Sequence, residues 1–273
     1  MEQRIDKQIE HDSVSIERSW AETSQNEIIK RLSAGEELQK ILESLPGFSE
    51  SFAEALDTID CSDGRVLDGR KIGIAGSGLL LPKEERAKFI ALYKGKIKKV
   101  TAHADCGAAA KKFSELRSLS PEEIPSTIGS PDDYGVYCAQ RLAEELGAEY
   151  EFLNREEMAS ENHNERAIIL DQSGRFDSSS LKGMVPHFVS TGAGLGFSPE
   201  YMKAELETLS GIALGDHGFG SRFDQAHPFY IFVAANDYAD LAEWEKLARE
   251  AVQKFGDRVQ VKGFVRPGDP ENN

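Results

Sequence analysis

The stretch KIKKVTAHADCGAAAKKFSELRSL, residues 96–119, decides the fold. Its opening, KIKKVTAH, mixes β-branched and apolar side chains and predicts a strand ending at His103. From Cys106 onward, alanines and spaced apolar residues predict a helix. A strand that runs into a helix within a few residues is the building unit of an α/β fold. The pattern extends both ways. Upstream, EALDTIDC predicts a strand finishing at Cys61, RKIGIAGSGLLL a strand or buried loop, and PKEERAKFIALYKG (82–95) a helix with Pro82 in its first turn. Further upstream, residues 24–45 predict two short helices divided at Gly35, with Ser24 as N-cap. Downstream, PDDYGVYCAQRLAEELG is a helix, AEYEFL, RAIILDQSG and HFVST are strands, and SPEYMKAELETLSG is a helix capped by Ser198. PFYIFVAA is a buried strand, DYADLAEWEKLAREAVQKFG a long amphipathic helix, and RVQVKGFV a closing strand. The expectation is an α/β fold with a largely parallel central sheet flanked by helices. A polar N-terminal arm is expected over 1–22 and one domain over 23–273. No internal repeat is read, and residues 117–133 are the expected long loop.

The chain has 273 residues, a formal net charge of −15 and three cysteines. The negative surface argues against nucleic acid and acidic membranes as partners. No run approaches the ~18 apolar residues of a membrane span. The acidic, polar start is neither a secretory signal nor a transit peptide, so the cytoplasm is the expected compartment. An odd, small number of cysteines speaks against a disulfide framework and leaves thiols for metal or chemistry.

Two clusters stand at predicted strand ends: Cys61-Ser62-Asp63-Gly64-Arg65 and His103-Ala104-Asp105-Cys106-Gly107. Parallel strands in a βαβ unit place their C-terminal ends at one edge, where ligands gather in open α/β sheets. Cys61, His103 and Cys106 therefore form a candidate two-thiolate, one-imidazole metal set. Such a set suits zinc in tetrahedral geometry with one position open, the arrangement of a catalytic site. Cadmium fits the same donors. Cys138, in a helical stretch where it shares a face with Leu142 and Leu146, reads as a core thiol.

The joint pattern resembles the signature of the β-class carbonic anhydrases. The Asp-Gly-Arg form, with HNERAIILD and PFYIFVAA, is similar to the ζ, cadmium-accepting class. The resemblance implies a β-carbonic-anhydrase-like fold and reversible hydration of CO₂ to bicarbonate by a metal-bound hydroxide. It implies Cys61, His103 and Cys106 as ligands, Asp63 and Arg65 as the dyad beside them, and a possible homodimer. It also allows hydrolysis of carbon disulfide or carbonyl sulfide on the same site. A non-catalytic metal-binding module is the reading from another class. In physical terms, Arg65 holding Asp63 bidentately keeps that carboxylate ionised and off the metal. Gly64 stands where the β class commonly has serine. The Gly-rich GIAGSG (73–78) lets backbone approach a ligand closely, so Gly76, Ser77 and Gly78 are candidate substrate contacts.

The other candidates read more plainly. TGAGLGFSPEYM (191–202) is a Gly-rich turn whose spacing is not that of a dinucleotide loop, although nucleotide binding is an alternative there. His217 lies in an expected loop, with a proton-shuttle role open to it. His163 and Glu165 read as surface or supporting residues, and His187 and His227 stand near strands without an assigned role.

Overall fold

The computed structural model describes residues 14–52, 56–66, 71–158, 163–215 and 218–268. Three helices lead in: α1 (14–24), α2 (Glu27–Ser33) and α3 (Leu38–Glu43). The described part of the expected arm is thus helical, and Trp20 anchors it edge-on to Phe219 at 5.0 Å. The cap of α2 is Asn26, whose side chain accepts from the Ile28 amide, rather than Ser24.

The α/β expectation holds, with a difference in the sheet. There are two four-stranded parallel sheets instead of one. The first orders its strands β2-β1-β3-β4 and the second β6-β5-β7-β8. The strands are β1 (Thr58–Asp60), β2 (Lys71–Gly73), β3 (Lys99–His103), β4 (Glu149–Leu153), β5 (Ala167–Asp171), β6 (His187–Ser190), β7 (Phe229–Ala235) and β8 (Val259–Val265). The helices between them are α4 (Lys83–Tyr93), α5 (Gly107–Leu119), α6 (Pro131–Leu146), α7 (Pro199–Ala213) and α8 (Tyr238–Val252).

The two strand orders are the same, so the chain carries an internal repeat that its sequence does not announce. Strand ends and register align the halves. Asp60 closes β1 as Asp171 closes β5. Ile59 pairs with Val100 and Ile72, as Leu170 pairs with Val233 and Ser190. Counting outward from those pairs, Gly73 corresponds to Thr191 and the AGSG turn to AGLG. The halves meet at these equivalent positions: the Thr191 amide donates to the Gly73 carbonyl at 2.9 Å, and the Gly73 amide to Thr191 Oγ1 at 3.2 Å. Contact between matched positions is what a twofold relation produces. A Cβ at Gly73 would lie 2.4 Å from the Val189 carbonyl, so glycine is what permits the close approach. A continuous apolar core joins both sheets, from Ile59 and Val100 to Ile168 and Ile231.

Candidate metal centre

Two strand tips and a helix start build the centre. Cys61 follows β1, His103 ends the adjacent parallel strand β3, and Cys106 is the N-cap of α5. Between His103 and Cys106 the chain turns through Asp105 at φ 56°, a left-handed conformation that aspartate tolerates. The Asp105 amide donates to Asp132 Oδ1 at 3.0 Å, which helps hold the turn. The donor atoms of Cys61, His103 and Cys106 lie within 4.8 Å of one another, and the two sulfurs are 3.7 Å apart. All three residues are buried, at 5%, 3% and 4% exposure.

The donor chemistry fits a cation. His103 Nδ1 lies 2.8 Å from the Ala104 carbonyl, so it carries the hydrogen. Nε2 is buried with no hydrogen-bond partner. An orphaned ring nitrogen facing two sulfurs is what a metal ligand looks like without its metal. The hydrogen bond with Cys106, and then His103, hold the Cys61 thiol well below its usual range. That same sulfur–sulfur contact, and then burial, push Cys106 up. The pair thus favours a single shared proton, with Cys61 the better anion because it also accepts the Gly76 amide at 3.3 Å. Burial pulls His103 down, but the Cys61 sulfur and Asp63 outweigh it and raise it to about 9. A cation among these groups would take the place of those protons.

Asp63 and Arg65 form the expected dyad. Arg65 Nε lies 3.1 and 3.2 Å from the two Asp63 oxygens, and Nη2 is 2.7 Å from Oδ2. The Arg65 amide donates to Oδ1 at 3.0 Å, and Nη2 also reaches the Asp105 carbonyl at 3.2 Å. Burial pushes the Asp63 carboxyl up, yet Arg65, His103 and His163 together hold it at about 2. Asp63 Oδ2 is 3.8 Å from His103 Nε2.

The glycine turn supports Cys61. Gly76, Ser77 and Gly78 all have positive φ (62°, 54°, 87°). The Gly76 amide is spent on Cys61 Sγ and the Ser77 amide on the Ile74 carbonyl at 2.8 Å. Among the described residues, Ser77 and Asp105 are the two non-glycines at positive φ, and both flank this centre, where strained backbone tends to collect.

His163 and Glu165 come from the second half, and they are not surface residues. Glu165 is buried, and His163 Nδ1 is 3.3 Å from both its oxygens and 3.9 Å from Asp63 Oδ1. The HNER stretch carried the residue types, but only the juxtaposition of the halves gives them a role. The same juxtaposition explains Gly64: a Cβ there would lie 2.3 Å from the His187 carbonyl and 2.9 Å from Glu165 Cγ.

Other candidates fall away. Cys138 stays outside the cluster, half-buried on α6. The 191–197 turn is packed from within: a Cβ at Gly192 would meet Phe197 at 2.6 Å, and one at Gly194 the Gly174 amide at 2.1 Å. His217 lies outside the described residues. Among the described residues, no helix is long and apolar enough to cross a membrane. No protein-family model, no curated protein and no solved structure matches this chain.

Proposed function

We propose that the chain is a metal-dependent lyase of the carbonic anhydrase type, interconverting CO₂ and bicarbonate. One observation carries the reading: a buried Cys61–His103–Cys106 set whose orphaned imidazole nitrogen faces a carboxylate already clamped by arginine. A divalent ion held by these three residues, zinc or cadmium, would supply an acidified water as the nucleophile.

The protein's own residues do the rest. Two thiolates would balance the charge of a divalent ion held there, which would weaken its acidifying power relative to a site of neutral ligands. Asp63 is the group that would offset this, by accepting a hydrogen bond from the attacking water and orienting it. Arg65 holds both Asp63 oxygens, so the carboxylate stays ionised and directed. The Gly76 amide steadies the Cys61 sulfur. Gly76, Ser77 and Gly78, in the buried turn beside that sulfur, remain candidate substrate contacts.

Metal analysis of the purified protein with a stopped-flow CO₂ hydration trace tests this directly. One equivalent of metal and a hydration rate abolished by chelation are expected. Metal without hydration, but with turnover of carbon disulfide or carbonyl sulfide, would move the assignment to the sulfur substrates. Metal without either activity would leave a binding module.

A further inference from the structure

Arg166 is the exception among the buried cations. It immediately precedes β5 and is 1% exposed. Arg65 is paired with Asp63, and Lys71 with Asp60 at 2.6 Å. Arg166 has no carboxylate partner among the described residues. Its guanidinium lies 3.9 Å from the Trp20 ring centroid and 5.8 Å from that of Phe223. Nη1 donates to Thr23 Oγ1 at 3.3 Å and Ser24 Oγ at 3.2 Å, and Nε is buried with no partner. Burial lowers the group to about 10, which leaves it charged at neutral pH. Stacking and two hydroxyls offset part of the desolvation, but a buried charge without a counter-ion is costly.

Arg166 is one of the residues lining a cavity of about 340 Å³, with Ser24, Lys30, Ser33, His227 and Tyr230. Lys30 and His227 bring further positive or proton-donating groups to its rim. Asp224, beside His227, accepts from the His227 amide at 2.7 Å and lies 3.3 Å from its ring nitrogen. On a chain with a net charge of −15, an anion will settle only where a local cation reverses the field.

We propose that this cavity is a binding site for a small oxyanion, a carboxylate, sulfate or phosphate group, held by the Nη2 side of Arg166 with Lys30 and the Ser24 hydroxyl. The planar fork of an arginine is the usual receptor for such groups, and the edge not spent on Thr23 and Ser24 is the one a ligand would take. The proposal is independent of the metal centre, which is built from other residues.

The test uses the full chain, stripped of metal so that the Cys61 centre does not contribute. Thermal unfolding is followed in phosphate, sulfate and acetate against chloride at matched ionic strength, with titration calorimetry of each. At about 100-fold excess over Kd, at least one oxyanion should raise Tm by roughly 5 °C with one site per chain. The anion that does so separates a tetrahedral ligand from a planar one. Arg166→Met should abolish the shift. Without anion it should unfold no earlier than wild type, because an uncompensated charge has gone; a merely structural arginine would lose stability instead. Lys30→Met, at the exposed rim, keeps the test open should Arg166→Met fail to fold, and should weaken binding about 10-fold. Equal behaviour in chloride and all three oxyanions, or unchanged affinity in Lys30→Met and Arg166→Met, overturns the proposal.

Discussion

The two halves of the chain share a strand order and differ in what stands at the strand tips. At the positions of Cys61 and His103 the second half has Gln172 and Asn236, and where Cys106 caps α5, Asp237 caps α8. At those of Asp63 and Arg65 it has Gly174 and Phe176. Where the first half leaves an unpaired imidazole facing sulfur, the second closes the gap with amides: Asn236 Nδ2 donates to Gln172 Oε1 at 3.2 Å. Where the first half buries an ion pair, the second buries an aromatic ring, with Phe176 5.2 Å from Phe52 and 5.1 Å from Phe264. The scaffold accepts either set. Desolvated thiolate, imidazole and carboxylate are the costlier one, and an apolar replacement is often neutral or stabilising. The first half keeps a set that stability alone does not call for.

The largest expected effect follows from that asymmetry. Wild-type protein should hold one equivalent of metal per chain by elemental analysis, and Cys61→Ala, His103→Ala or Cys106→Ala should each bring it below about a tenth and abolish hydration. The converse change, Gln172→Cys with Asn236→His and Asp237→Cys, should raise the content to two. Two equivalents in the unaltered chain would break the comparison, because the amide-filled half would then bind metal as well.

Next in size is the dyad, present in one half and erased in the other. Arg65→Ala should lower the hydration rate by about 10²- to 10³-fold with the metal content unchanged, a loss typical of one charge-orienting group. Full activity in that variant would show that Asp63 needs no clamp.

How far this was readable in the sequence depends on range. The ligands stand within a few residues of each other or at tips of adjacent parallel strands, so Cys61, His103 and Cys106 could be joined on topology alone. The dyad was local, with one residue, Gly64, between its members. The repeat was hidden because the matching residues differ in chemistry and the spacing between strands changes from half to half. Gln172 does not resemble Cys61, nor Phe176 Arg65. Its trace was the pair of glycine turns, AGSG and AGLG, one of which read as a substrate contact and the other as an idle loop. His163 and Glu165 read only as surface or supporting residues, and Arg166 carried no reading, because Asp63 and Trp20, which His163 and Arg166 meet, lie about a hundred residues or more away along the chain.

A pair of histidines sharpens the comparison further. His187, on β6 of the second half, points Nδ1 at the Val185 carbonyl at 2.6 Å, as His103 points its own at Ala104. Its Nε2, however, accepts from Ser178 Oγ at 2.8 Å, where that of His103 has no partner. Burial then lowers His187 to about 4. A depressed folded-state pKa means that the unfolded chain takes up a proton first. The stabilising contribution is complete above pH 6.5 and is lost as pH falls towards 4. His187→Gln should flatten the stability profile across that window by on the order of 2 kcal/mol, measured by urea unfolding at a series of pH values. An unchanged slope would mean that other groups set it.

The smallest effect concerns the residue the second half lends to the first. Asp63, His163 and Glu165 bring three donor atoms within 4.8 Å of one another, which is close enough for a second cation. Arg65 argues against one: its guanidinium already occupies the Asp63 oxygens and would repel another positive charge there. A proton is the charge that fits. Burial works against the protonated His163 ring, but Glu165 and Asp63 outweigh it and raise its pKa. The ring is also less enclosed than either carboxylate, with 15% side-chain exposure against 5% for Asp63 and 2% for Glu165. Under the proposed function, the ring would carry to solvent the proton released on hydration. His163→Gln should lower kcat about 10-fold in weak buffer. It should leave kcat/KM near wild type, since the carbon-bonding step does not use the ring, and added imidazole should restore turnover. A parallel fall in both parameters, with no rescue, would mean that His163 only packs the boundary between the halves.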